Sequence, residues 1–193
     1  MAGLFVFEGP DGVGKTTTIA EVEKRLSAAG RTCVCLSFPG NETRTLGAHI
    51  YKLHHQPAHY DVAELSSLSL QILHIAAHVD SIERRILPLI RQGTTVLLDR
   101  YWWSTWAYGI ANGVPLSQLE SIIRVEKLVW GGVTPTNLFL LSRSKSFSSQ
   151  IVIDNYNDLY RRESDNYPIT RLENEVTIES LAEEVTRLVL SAF

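Results

Sequence analysis

Sulfur is scarce in this chain: its 193 residues hold 2 cysteines and 1 methionine. Cys33 and Cys35 stand two apart in a predicted strand, which turns both to one face and makes a mutual bridge strained. They read as core thiols, and a disulfide scaffold is excluded. No stretch approaches the roughly 18 consecutive apolar residues of a membrane span, and no basic segment leads into an apolar run of secretory type. The expectation is a cytoplasmic protein with no membrane partner. Basic blocks are missing as well, with 18 Lys and Arg against 21 Asp and Glu and a formal net charge of -3. No duplex nucleic acid partner is expected from such a surface, although a local phosphate site is compatible with it. Internal repeats and low-complexity tracts are absent, so solenoids and disordered tails are not indicated.

What is present is enough apolar sequence, 45% of the chain, for one sizeable core, and a single domain over residues 1–193 is expected. Short apolar runs at 4–7, 33–38, 95–98, 138–141 and 167–170 read as strands. Helical spacing lies between them. Ile19, Val22, Leu26 and Ala29 form one stripe closed by Gly30, and residues 62–92 are mostly helical with Pro88 as a kink or interruption. His54 and His55 close a further helix ahead of Pro57, and residues 151–163 return to helical spacing. Ile178, Leu181, Val185 and Leu188 make a last stripe behind the cap Thr177. Buried strands alternating with helices imply an α/β, three-layer α/β/α domain on a parallel sheet.

After the first strand comes FEGPDGVGKTTT, in which Gly9, Gly14, Lys15 and Thr16 satisfy G-x-x-x-x-G-K-[ST] between a strand and a helix. Such a loop turns successive N–H groups toward a phosphate at a helix N-terminus. Lys15 is expected on the β- and γ-phosphates of ATP and Thr16 on Mg²⁺, with Asp11, Gly12, Val13, Gly14 and Thr17 completing the nucleotide contact. The run TTVLLDR ends its strand on Asp99 and Arg100, at the edge where a parallel sheet holds its ligands. There a carboxylate can join the Mg²⁺ shell and a guanidinium can bridge transferring phosphates.

FEGPDGVGKTT, SFPG at 37–40 and DRYWWSTWAYG at 99–109 together resemble the thymidylate kinase family. The segment AAHVDSIERRILPLIRQGTTVLLDRYWWST lines up with that family without a gap. The resemblance implies a P-loop kinase fold with a five-stranded parallel sheet, a mobile lid at about 142–152 and a homodimer formed through helices. It also implies Mg²⁺-dependent transfer of the ATP γ-phosphoryl group to a nucleoside monophosphate, dTMP or a related (deoxy)nucleotide. Carried over position by position, Asp11 would accept from an acceptor sugar hydroxyl. Phe38, Pro39, Arg100, Ser104 and Tyr108 would line the acceptor site.

The departures are specific. Gly40 and Asn41 follow Pro39 where the family brings an arginine to the acceptor phosphate, leaving Arg44 as the nearest guanidinium. His74 and His78 occupy the positions of a base-stacking aromatic and a base-bonding arginine. The lid is reduced to SRSKSFSSQ, with Arg143 and Lys145 as its cations. Each motif also has a plainer reading: Trp102 and Trp106 as packing, the histidines as satisfied side chains, Glu8 as loop support or outer metal shell. Two other functions stay open at this point. A kinase acting on a nucleoside or modified-base hydroxyl would explain the missing acceptor arginine, and a nucleotide-binding regulator with little transfer would explain the short lid.

Overall fold

The computed structural model describes residues 3–40, 42–144, 146–175 and 177–192. Asn41 and Lys145, weighed above, lie outside the described residues. The strands are β1 (Leu4–Glu8), β2 (Cys33–Ser37), β3 (Thr95–Asp99), β4 (Asn137–Ser142) and β5 (Ile169–Glu173). They form one five-stranded sheet in the order β2-β3-β1-β4-β5, parallel at every pairing. The helices are α1 (Lys15–Ala28), α2 (Leu46–His55), α3 (Ser67–Ser81), α4 (Leu87–Arg91), α5 (Trp102–Ala111), α6 (Leu116–Val129), α7 (Gln150–Glu163) and α8 (Ile178–Ser191).

Alternation along each strand feeds two cores. Phe5, Phe7, Leu97, Phe139 and Leu141 face one layer and pack with Val22, Leu26, Leu181 and Val185 of α1 and α8. Leu4, Val6, Val96, Leu98, Leu138 and Leu140 face the other, with Trp103, Leu119, Ile123 and Tyr156 from α5, α6 and α7. Strands buried on both faces require helices on both faces, and the three-layer α/β/α expectation is met.

The local signals came out largely as the residues dictate. Gly30 takes φ +71 behind α1, and Thr177 caps α8 by accepting from the Ser180 N–H. The long helical region differs in its bounds. It begins after Ser66, whose side chain accepts from the Ser69 N–H, and it widens into a π turn at Ile82–Ile86 just ahead of Pro88. Proline has no N–H to offer the preceding turn, so the chain loosens there without breaking. Trp102, Trp103 and Trp106 are buried in the core and line neither cleft described below, which bears out packing over base stacking.

Candidate active site

The site forms where three strand ends meet. The Arg100 N–H donates to the Phe7 carbonyl at 2.9 Å, and the Phe38 N–H donates to the Asp99 carbonyl at 2.9 Å. The loop after β1, the Asp-Arg pair after β3 and the Phe-Pro turn after β2 are thereby held side by side. Gly9 is obligatory at φ +136, because a Cβ there would stand 2.2 Å from the Leu141 carbonyl oxygen. Gly14 caps α1 in the left-handed region and, lacking a side chain, makes no cap bond to the first N–H groups of that helix.

Lys15 is buried and donates to the Gly9 and Pro10 carbonyls, both at 2.8 Å. Burial, reinforced by the Arg100 charge, pushes its ammonium down to about 8. Only the protonated form attracts phosphate. The affinity for ATP should therefore hold steady below pH 8 and weaken above it toward about tenfold per pH unit. Calorimetric titration of ATP between pH 6.5 and about 9.5 measures this; a flat profile would remove the assignment.

The Thr16 hydroxyl donates to Asp99 Oδ2 at 2.7 Å, while Asp99 Oδ1 is buried without a partner. An orphaned carboxylate oxygen beside a hydroxyl is an all-oxygen donor set, which suits Mg²⁺ held by few protein ligands and by phosphates. Among the described residues no cluster of three His, Cys, Asp or Glu side chains offers a metal cage, so His74 and His78 do not form one.

Arg100 sits at φ +75, unusual for a residue with a side chain. Its guanidinium donates to Ser104 Oγ at 3.0 Å and pairs with Asp11. Burial opposes its charge, yet the surrounding Tyr156, Asp11 and Glu8 oxygens hold it above the ordinary arginine value. Partial burial opposes the charge of Asp11, yet the Arg100 charge, the hydrogen bonds from Tyr108 and Arg100 and the Lys15 charge together hold its carboxyl below the ordinary value.

Behind this pair lies Glu8, fully buried. It accepts from the N–H groups of Tyr101 (2.6 Å) and Ser104 (3.0 Å), from Ser104 Oγ (2.8 Å) and from the Tyr156 hydroxyl (3.0 Å). Burial raises its carboxyl above the ordinary value against the pull of Arg100. Glu8 therefore supports the start of α5, and none of these contacts is to the Thr16–Asp99 pair. Glu8→Ala should lower the unfolding free energy by at least about 2 kcal/mol, since it orphans several buried donors at once. Urea denaturation reads the change, and an unaltered midpoint at unaltered slope would contradict it.

Two clefts open on either side of Arg100. The first, about 510 Å³, is lined by Gly12, Gly14, Lys15, Thr16, Thr17, Asp99, Arg143, Asn174 and Ile178 together with Asp11 and Arg100. The second, about 470 Å³, is lined by Phe38, Pro39, Gln71, His74, His78, Ser104, Thr105 and Tyr108, with Tyr51, His54, His55, Leu70 and Asn112 at its walls and Asp11 and Arg100 again at its end. Most of the expected residues are thus brought together.

Arg44 departs from its expected place, and several of the other residues have surroundings that local sequence does not give. Val13 has its side chain wholly buried in the core, and its carbonyl accepts from Asn174 Nδ2 at 2.7 Å, because the loop turns that residue inward. Arg44 is exposed and lines neither cleft; it occupies a left-handed turn ahead of Thr45, whose side chain caps α2. Arg100 is the only described arginine or lysine lining the second cleft. Ser104 lines that cleft, but its hydroxyl is engaged by Glu8, Tyr156 and Arg100, so it orients Arg100. His78 is 2% exposed, bonded through Nδ1 to Glu126 at 2.8 Å and stacked on Phe38 with ring centroids 4.1 Å apart. His74 keeps an unpartnered buried Nε2, and burial together with the neighbouring His78 pushes its imidazole down to about 3. It is therefore neutral at pH 7. Gln71, Thr105, Asn174, Tyr156 and Glu126 were not foreseen.

A sequence model of the thymidylate kinase family matches residues 7–171. The chain belongs to that family. It is 35% identical over 150 residues to the thymidylate kinase of Deinococcus radiodurans, a match covering 77% of this chain and 68% of that protein. With the thymidylate kinase of Chlorobaculum parvum it shares 32% over 139 residues, 72% of this chain and 60% of the relative, so that match spans less than two thirds of the relative's length. The fold agrees with a crystal structure of the thymidylate kinase from Ehrlichia chaffeensis at a TM-score of 0.80, over 97% of this chain and 98% of that one, at 23% identity. No helix among the described residues is long and apolar enough to cross a membrane.

Proposed function

We propose that this protein transfers the γ-phosphoryl group of ATP to the phosphate of dTMP, forming an anhydride. One observation carries the reading: Asp11 and Arg100 line both clefts, so a donor in one and an acceptor in the other meet at a single guanidinium. Lys15 exchanges its two loop carbonyls for phosphate oxygens, and the N–H groups at the start of α1 add to the cradle. Arg100, braced by Ser104 and Asp11, spans the transferring and accepting groups with its planar fork. Asp11 accepts from the acceptor sugar. Thr16 and Asp99 hold Mg²⁺, which when bound offsets the negative charge of the phosphates. No general base is required, because the acceptor phosphate is already an anionic nucleophile, and rate arises from positioning and electrostatics.

The reading treats residues 1–193 as one kinase domain and the segment at about 142–152 as its lid, with Arg143 as the cation it brings to the donor cleft. Ser146 and Ser148 already bond to the Asp11 backbone, at 3.4 and 3.0 Å. A cytoplasmic homodimer belongs to the same reading, and the exposed Val125 and Leu128 of α6 supply apolar surface for it. Neither a hydroxyl acceptor nor a non-transferring regulator is favoured by the family placement. A coupled ADP-release assay with ATP and Mg²⁺ against nucleoside monophosphates and nucleosides is the test. Turnover is expected with dTMP ahead of the rest, and a nucleoside accepted in preference to every monophosphate would overturn the reading.

A further inference from the structure

The acceptor cleft has hydrogen-bonding capacity that the protein itself leaves unpaired. Gln71 is 4% exposed and its Oε1 is buried without a partner; Thr105 is 3% exposed and its Oγ1 is in the same condition. Both line the cleft, from α3 and α5, two helices packed against each other. Nearly all buried polar atoms are hydrogen-bonded in folded proteins, so unpaired atoms on two side chains that line one cleft point to a ligand that completes them. His78 is a poor candidate for that task. Its Nδ1 is committed to Glu126 and its ring face to Phe38.

We propose that Gln71, assisted by Thr105, reads the base of the acceptor. An amide presents an acceptor beside a donor, the complement of a ring N–H beside a carbonyl, which is the N3–H and O4 edge of a thymine or uracil base. The neutral His74, one turn from Gln71 on α3, adds an uncharged unpaired nitrogen to the same wall. Recognition of the base then rests on an amide and a hydroxyl from two packed helices. The proposal rests on dTMP being the acceptor.

The test measures binding of dTMP, of its N3-methyl derivative and of ATP by calorimetry in the wild type, Gln71→Leu and Thr105→Val. The wild type should bind dTMP about tenfold or more tightly than the N3-methyl form, because a site built around a hydrogen bond rejects the analogue that lacks it. Gln71→Leu should weaken dTMP by about tenfold and lose most of that preference, Thr105→Val should weaken it less, and ATP affinity should stay as in the wild type. Retained ATP binding also reports a folded variant, and Gln71→Met, close in length and unbranched, serves where the leucine variant does not fold. Unchanged dTMP affinity in Gln71→Leu, or an undiminished preference over the N3-methyl form, overturns the role of Gln71 while leaving the kinase reading intact. A wild type that neither binds nor phosphorylates dTMP overturns the acceptor assignment and this proposal with it.

Discussion

Lys15→Ala is expected to lower phosphoryl transfer by about 10²–10³-fold or more while the protein stays folded. Among the described residues Lys15 is the only lysine lining the donor cleft, and a charge placed where negative charge is redistributed counts most in a site that excludes water. Its effect on stability should be small, because two changes oppose each other. Removing a buried ammonium, whose burial already pushes it down to about 8, relieves a desolvation cost. The Gly9 and Pro10 carbonyls lose their donor at the same time. The melting temperature should move by no more than about 5 °C, and ATP should stabilise the wild type but not the variant. Turnover close to wild type would remove the phosphate-loop assignment. Loss of the folded signal would remove the claim that Lys15 serves chemistry and not stability.

Arg100→Lys is expected to cost about three decades in kcat, although it preserves charge. Arg100 engages Ser104, Asp11 and both clefts from one position, and only a planar fork can meet several oxygens at once. An ammonium on a flexible stem can neutralise one phosphate but cannot bridge two. The backbone at φ +75 is retained by either side chain, so that strain does not distinguish them. Steady-state kinetics should show the loss mainly in kcat, with a smaller rise in the acceptor KM. A variant with full kcat and only a raised KM would show that Arg100 binds the acceptor without serving the transfer.

The phosphate loop was legible because its signal is local. Gly9, Gly14, Lys15 and Thr16 act through backbone conformation and helix start within a single turn of chain, and a strand before with a helix after suffices to predict the geometry. Asp99 and Arg100 were legible for a related reason, since a parallel sheet places the ends of all its strands at one edge. The family resemblance assigned the histidines at 74 and 78 to a ligand wall, but it left their states open. His78 differs from His74 because Glu126, 48 residues away, takes its Nδ1, while nothing pairs the buried nitrogen of His74.

Other positions have surroundings that only a distant partner or turn decides. Ser104 read as a substrate contact, and the structure adds that Glu8 of β1 and Tyr156 of α7 draw its hydroxyl into one network. Val13 read as loop lining, yet Asn174, 161 residues on, fixes its carbonyl while its side chain enters the core. Arg44 stood nearest in sequence to the acceptor turn, yet the turn into α2 leaves it outside the cleft.

By itself, then, the sequence determined the layered parallel sheet, the phosphate loop, the Asp-Arg pair and the family, because periodicity, turn chemistry and short motifs act over a few residues. Tertiary structure alone decided which polar atoms remain unpaired. Gln71 and Thr105 look like ordinary helical positions until α3 and α5 pack together, since whether a buried donor or acceptor is satisfied depends on neighbours that chain order does not name.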